Sequence, residues 1–338
     1  MKDVAALAGV SIKTVSNVVT GTVAVRKETR VKVEAAMAQL DFVPNLNARG
    51  LRKGRSGIIA VALPDLATAF SAELLHRIVE TAHERGLAVQ IEETATDPER
   101  EKELVSRARA HLVDGLILNP IRLEDSVLEF GDHLPPLVVI GEVEQSRADH
   151  VRIDSRRAAA DATRHVLSRG ATRIAVIGAD DDPSVATATS RLRLEGVHDA
   201  LREAGIPRDP ALEINPMPWS MTGGAAGVET LFRRAVAFDA IVALTDTLAL
   251  GALHALHDHG VSVPDDVIVT GFDDVEFSRY TSPSLTTIAF DRRAFADAAL
   301  GLLESRMDDR AAPPRALTLS HHLLERASTD GTPRGYRP

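Results

Sequence analysis

The chain of 338 residues contains no cysteine, which excludes disulfides and thiolate metal sites. Aromatic residues make up only 4% of it, and Trp219 is the sole tryptophan. No apolar run reaches the ~18 residues that a membrane span requires. The N-terminus lacks a secretory pattern, since Met1-Lys2 is followed at once by Asp3, and a cytoplasmic address is expected. Also missing are a P-loop, a G-x-S-x-G elbow, an H-E-x-x-H helix and a dinucleotide-binding glycine fingerprint. Neither catalysis nor a cofactor is therefore expected. What remains is an ordinary globular composition, 44% hydrophobic and 26% charged, long enough for two or three domains.

The net charge of −9 is unevenly spread. Residues 1–56 carry ten Lys/Arg against four Asp/Glu, and the remainder carries 29 against 44. A basic head on an acidic body suggests a polyanion-binding module attached to something else. The head is patterned. Val4, Ala5, Leu7 and Ala8 predict a short apolar helix, ended by Gly9 in a left-handed conformation. Val10 anchors the turn, and Ser11 is a good N-cap for a second helix. There Val15, Val18 and Val19 face inward, leaving Ile12, Lys13, Ser16, Asn17 and Thr20 on the opposite face. This is helix-turn-helix geometry, with an outward row suited to base edges and phosphates. A third helix is expected from about Lys27 to Leu40, with Val33, Met37 and Leu40 closing a mini-core. Pro44 stops it. Asn45 can then cap a short helix to about Lys53 that carries Leu46, Ala48, Arg49, Leu51 and Arg52. So short a helix is unstable alone and is expected to form only against a partner helix and DNA.

The stretches VAALAGVS, KTVSNVV, ETRVKVEAAMAQLDFVPN and NARGLRKGRSG together resemble the lactose-repressor (LacI) family, and the order of modules does so over the whole chain. The resemblance implies a recognition helix in the major groove. It also implies paired hinge helices of a dimer in the minor groove, where a leucine wedges between base pairs. The matching positions are Ile12, Lys13 and Asn17 for base readout, Thr14 and Ser16 for phosphates, and Leu51 for the wedge. Asn45, Ala48, Arg49 and Arg52 complete the DNA-facing set. Asn17 stands where many relatives carry Arg, so adenine is expected to replace guanine as the preferred base there. Arg26 replaces a usual capping Ser and is expected to meet a phosphate instead.

From Gly57 onward, apolar runs of four to six residues alternate with amphipathic segments, which predicts doubly wound parallel sheets. Two such series suggest two similar lobes with a ligand cleft between them at strand C-terminal ends. The expected lobes are discontinuous, 57–155 with 286–318 and 156–285 with 319–330, followed by a polar, disordered tail at 331–338. As a whole the fold is expected to be an N-terminal three-helix module and hinge helix, then a two-lobed α/β sensor like a periplasmic binding protein.

Cleft candidates follow the strands: Phe70 and Ser71 after the first, then Arg191, Arg193, Trp219, Thr245, Asp246, Asp273 and Phe290. The resemblance implies that Arg193 and Asp273 hold ligand hydroxyls and that Trp219 stacks on a sugar. Arg191 could equally be a surface residue, Asp246 a helix N-cap, and Phe70 and Phe290 core aromatics. Asp274 is expected to face solvent. Neither His254, His257 and His259 nor the His321-His322 pair forms a convincing metal site. The expected partners are double-stranded operator DNA, a second copy of the chain paired through the helix at 71–85, and a small-molecule effector, a mono- or disaccharide. A purine or nucleoside is the alternative effector, and a transport-type sugar-binding protein the alternative class.

Overall fold

Three short helices form the first unit: α1 (Lys2–Ala8), α2 (Ile12–Thr20) and α3 (Lys27–Gln39). Gly9 takes φ 66° and closes α1, as the left-handed turn requires. Ser11 Oγ accepts from Thr14 N at 3.1 Å and starts α2. Val4, Ala5, Val15, Val18, Val33 and Ala36 make the core, with Val19, Met37 and Phe42 packed against it. Leu40, expected in that core, is 43% exposed. The helix ends one residue before it, and Phe42, whose N–H returns to the Met37 carbonyl, fills the space instead. So small a core is marginal by itself.

The computed structural model describes the chain except for residues 21–22, 43–54, 96, 111, 123–125, 127, 129–133 and 181–186. Asn45, Ala48, Arg49, Leu51 and Arg52, with the hinge helix expected there, lie outside the described residues. The chain divides into two units, Met1–Ser56 and Gly57–Pro338.

The second unit contains two six-stranded sheets. The first is ordered β11-β5-β4-β3-β1-β2, from β1 (Ile58–Leu63), β2 (Ala88–Glu93), β3 (Gly115–Leu118), β4 (Leu137–Ile140), β5 (Asp149–Ile153) and β11 (Ala316–Leu319). The second is ordered β12-β10-β9-β8-β6-β7, from β6 (Ile174–Ile177), β7 (Glu213–Ile214), β8 (Ala240–Ala243), β9 (Ile268–Phe272), β10 (Thr286–Phe290) and β12 (His321–Leu324). All pairings are parallel except β10 with β12. The helices are α4 (Ala69–Glu84), α5 (Pro98–Arg109), α6 (Ser155–Ser168), α7 (Ala188–Glu203), α8 (Met221–Arg233), α9 (Asp246–Asp258) and α10 (Arg292–Asp308). Each starts at a Thr, Asp or Ser whose side chain accepts a first-turn N–H: Thr68, Asp97, Asp154, Thr187, Ser220, Thr245 and Asp291. Aliphatic side chains cover both faces of each sheet, as parallel strands require.

The chain passes between sheets three times, after β5, β10 and β11. β10 lies in the second sheet, whereas residues 286–290 were expected in the first lobe. The edge of β9 was open, and Thr286–Ile288 pair in parallel with Thr270–Phe272. The 331–338 segment, expected to be disordered, is docked on the second lobe. Tyr336 bridges to Phe238, its ring centroid 5.3 Å from that of Phe238 and 4.8 Å from that of Phe232. Gly335 N donates to the Asp266 carbonyl at 2.9 Å. One aromatic in an otherwise polar segment is enough to dock it.

Candidate functional site

In the first unit the core takes Val15 and Val18 of α2, with Val19 packed against it, and leaves the opposite side of the helix outside that core. Ile12 is 47% exposed and Lys13 is exposed, while Ser16 and Asn17 are half-buried. Thr14 Oγ1 lies 2.9 Å from Ser11 Oγ. Arg26 sits exposed at the N-cap position of α3 and makes no capping bond.

In the second unit, charged side chains from both lobes meet at strand C-terminal ends. Arg193, on α7, is at the centre, its side chain 6% exposed. Its Nη1 donates to the Leu244 carbonyl at 2.6 Å, and its Nη2 to Glu142 at 2.9 Å. Its guanidinium carbon lies 3.5 Å from the Phe272 ring centroid, and Asp273 Oδ1 is 3.5 Å from Nη1. Glu142 follows β4 in the first lobe and also accepts from Ser155 and Thr189. Burial opposes its ionisation, but Arg193 and the two hydroxyls outweigh that and hold its pKa below the usual value. Thr189 and Arg193, one helical turn apart, therefore clasp a first-lobe carboxylate from the second lobe.

Asp273 directly follows β9 at φ 114°, a conformation that costs a non-glycine residue energy and that clusters at functional sites. Arg292, at the start of α10, donates to the Asp273 carbonyl and lies 3.3 Å from Glu73 of α4. Burial pushes the Asp273 carboxyl up to about 8, against the pull of Arg193. Beneath Arg292, Phe70 and Phe290 meet edge to face at 6.2 Å, and the guanidinium carbon is 5.9 Å and 5.8 Å from their centroids.

The remaining candidates divide. Trp219 is partly buried against both cores of the second lobe and lies beside Gly178 at the end of β6. Thr245 is the N-cap of α9, the role considered for Asp246. Asp246 is fully buried, accepting from Val275 N at 2.9 Å, Ser278 Oγ at 2.7 Å and Thr287 Oγ1 at 2.5 Å. Its pKa is raised to about 6 by burial, against those three bonds. Ser71 turns into its own helix start, accepting from Thr68 Oγ1 at 2.9 Å. Arg191 is on the surface with Glu195 at 3.0 Å, and with Glu144 it lines a separate cavity of about 290 Å³ that shares the Glu142 wall. Asp274, expected to face solvent, is 7% exposed and paired with Arg326 at 2.5 Å and Arg279 at 3.1 Å. Its φ of 52° turns it back toward the C-terminal segment.

Sequence reasoning missed Glu142, Thr189, Arg292 and Glu73. Glu142 was detectable, because it follows a strand as the other candidates do. Arg292 follows β10, which the sequence pattern alone places in the other lobe.

The profile of "Bacterial regulatory proteins, lacI family" matches residues 1–45, and that of the "Periplasmic binding protein-like domain" matches residues 163–329. The HTH-type transcriptional regulator GalR of Escherichia coli (strain K12) is 30% identical over 97% of this chain and 95% of its own. The structure of the lac repressor dimer bound to operator and the anti-inducer ONPF aligns at TM-score 0.83 and 29% identity, over 97% of this chain and 98% of that one. A CelR–cellobiose complex aligns at TM-score 0.72 and 28% identity, over 97% and 98%. Taken with the helix-turn-helix unit and the two-lobed α/β unit, these matches establish that the chain belongs to the lacI family of bacterial regulatory proteins, as a DNA-binding transcriptional regulator and not an enzyme.

Proposed function

We propose that the protein is a cytoplasmic repressor that binds a pseudo-palindromic operator as a homodimer and is controlled by a sugar in the cleft between its lobes. The observation that carries this reading is the division of labour on α2. Its valines build the core, while Ile12, Lys13, Ser16 and Asn17 remain on the surface as a reading face. Thr14 and Arg26 flank that face for phosphates, with Asn45, Ala48, Arg49, Leu51 and Arg52 continuing it into the minor groove. Arg193, Asp273, Phe70, Phe290 and Trp219 are the residues proposed to meet the effector. The cellobiose held by CelR supports a mono- or disaccharide.

The clasp of Glu142 by Arg193, Thr189 and Ser155 joins the lobes directly, so a ligand seated among these groups changes the relation of the lobes. Linkage then requires operator and effector to alter each other's affinity by one common factor.

The test is fluorescence anisotropy on duplexes enriched by selection from a random pool, with and without sugars. One preferred palindromic sequence is expected, released by one sugar. Leu51→Ala should weaken binding to it, and a Lys13 substitution should redistribute preference among related sequences. Equal, weak binding to every duplex refutes the reading.

A further inference from the structure

The cavity of about 290 Å³ beside Glu142 is distinct from the effector site proposed above, because none of Phe70, Arg193, Trp219, Asp273 and Phe290 is among the described residues that line it. Its walls stand where the chain passes between the sheets. Asp154, Ser155 and Arg156 carry the chain from β5 into α6, and Thr318 lies on β11 just before the passage to β12. Arg191, Leu192 and Glu195 close it from α7 of the second lobe. Arg152 and Thr318 are register partners in the parallel pairing of β5 with β11, so their side chains share one face of the first sheet.

Three guanidinium groups and four carboxylates line the cavity, and most of their charge is already matched. Glu142 is met by Arg193 at 2.9 Å, from outside the lining. Glu195 is shared by Arg191 at 3.0 Å and Arg156 at 3.3 Å. Asp154 caps α6 and accepts from Arg157 N at 3.0 Å. Two groups of opposite sign are left over. Among the described residues, Glu144 has Arg191 alone, at 3.8 Å, and the half-buried Arg152 has neither an ion pair nor a side-chain hydrogen bond. A guanidinium that gives up hydration without gaining an acceptor is incompletely satisfied. An anion placed on Arg152 would also meet Glu144 and Asp154, and a cation placed on Glu144 would meet the arginines. A ligand that carries both charges meets an opposite charge at each end. Leu192 is the one aliphatic side chain left to it, since Ile153 belongs to the core of the first lobe. With so little apolar lining, and a volume at the low end of the ~300–1,000 Å³ typical of small-molecule sites, the cavity suits a small polar molecule. We propose that this cavity is a second ligand site, for a free α-amino acid whose carboxylate binds Arg152 and whose ammonium group binds Glu144. Such a ligand touches both lobes where the chain passes between them. The site is additional to the cleft and does not depend on what the cleft binds.

The experiment is calorimetry on the full-length protein with glycine, alanine, serine, threonine, aspartate and glutamate. The N-acetyl and amide derivatives of the amino acid that binds each remove one of its two charges. Inorganic phosphate and methylammonium offer a single charge alone. At least one amino acid is expected to bind, and each of its derivatives roughly tenfold to a hundredfold more weakly, the worth of a charge-assisted hydrogen bond. In Arg152→Gln the amino acid should fall to the level of its amide, while the amide itself loses little. In Glu144→Gln it should fall to the level of its N-acetyl derivative in the same way. Thermal unfolding checks that both variants fold, and the derivatives test the two charges in the unaltered protein whether or not they do. The inference is overturned if no amino acid in the panel binds, if a derivative or phosphate binds as well as the parent, or if a folded variant weakens parent and derivatives alike or not at all. Neither operator nor sugar enters the measurement, so each of these results leaves the proposed function standing.

Discussion

Glu142 is the strongest single test of how the lobes are held. Replacing it with leucine removes the ion-pair partner of Arg193, whose side chain is 6% exposed against 10% for Glu142. It also removes the acceptor of Ser155 and Thr189. Breaking a buried pair from one side costs about 3–5 kcal/mol, and the Asp273 carboxyl, 3.5 Å from Arg193 Nη1, remains beside the guanidinium and places the single variant at the lower end of that range. Ser155, 2% exposed, and the half-buried Thr189 lose their acceptor in the single and the double variant alike, so they do not affect the comparison between those two. Replacing both partners, Glu142→Leu with Arg193→Met, removes the stranded charge. Such double replacements are commonly neutral or stabilising by about 1–4 kcal/mol relative to the intact pair. One new defect remains, because the Leu244 carbonyl loses the donor it had at 2.6 Å, at about 1–3 kcal/mol. The double variant should therefore unfold near wild type and well above the single. The assay is urea unfolding at fixed protein concentration, followed by far-ultraviolet dichroism. A single variant that loses less than about 1 kcal/mol, or a double no more stable than the single, would show that the pair does not hold the lobes as described.

Other expectations follow from the same geometry. Asp246 titrates near 6 and Asp273 near 8 in the folded chain, both above the ordinary 3.8. The folded state therefore binds more protons than the unfolded state between those values, and this contribution to stability declines as pH rises from about 4 to about 8. Asp246 accounts for about 3 kcal/mol of that decline, and Asp246→Asn should flatten the profile measured by urea unfolding at a series of pH values. An unchanged slope would count against the buried carboxylate as its source. Asn17→Arg should shift preference from adenine to guanine at one position of each half-site, by about 1–3 kcal/mol in competition binding, whereas uniform loss across sequences would deny Asn17 a base-reading role. Tyr336→Ala should lower the unfolding free energy by about 1–3 kcal/mol through lost packing on Phe232 and Phe238, and a silent substitution would mean the docked segment contributes nothing.

Local signals in the sequence were sufficient for most elements. Apolar runs such as IIAVAL and IAVI became strands, and Thr, Asp or Ser at the expected places became caps, because both depend on neighbours a few residues away. β5 escaped notice because Asp149, His150 and Arg152 interrupt its pattern. The reason lies elsewhere in the chain: Arg306, from α10, meets Asp149 at 2.9 Å, and Arg315 N donates to it at 2.8 Å. The site divides in the same way. Arg193 and Asp273 can be read from motifs, but the sequence around Asp246 fits a cap and a ligand contact equally. Its three hydrogen-bond donors come from residues about 30 to 40 positions away, and no local pattern announces them. Glu142 and Arg292 likewise acquire their meaning only when two lobes bring them to Arg193 and Asp273.

The three passages between sheets have a consequence for how the protein is made. Strands β1 to β5 of the first lobe are complete once Ile153 is synthesised, but α10, which covers one of their faces, begins only at Arg292. At about 5–20 residues per second, the intervening stretch of about 140 residues takes roughly 7–28 seconds. During that interval Ile59, Val61, Ile117 and Val138 lack their final cover. The first lobe thus waits for the C-terminal segment to close its core, and the last fifty or so residues complete both lobes almost together.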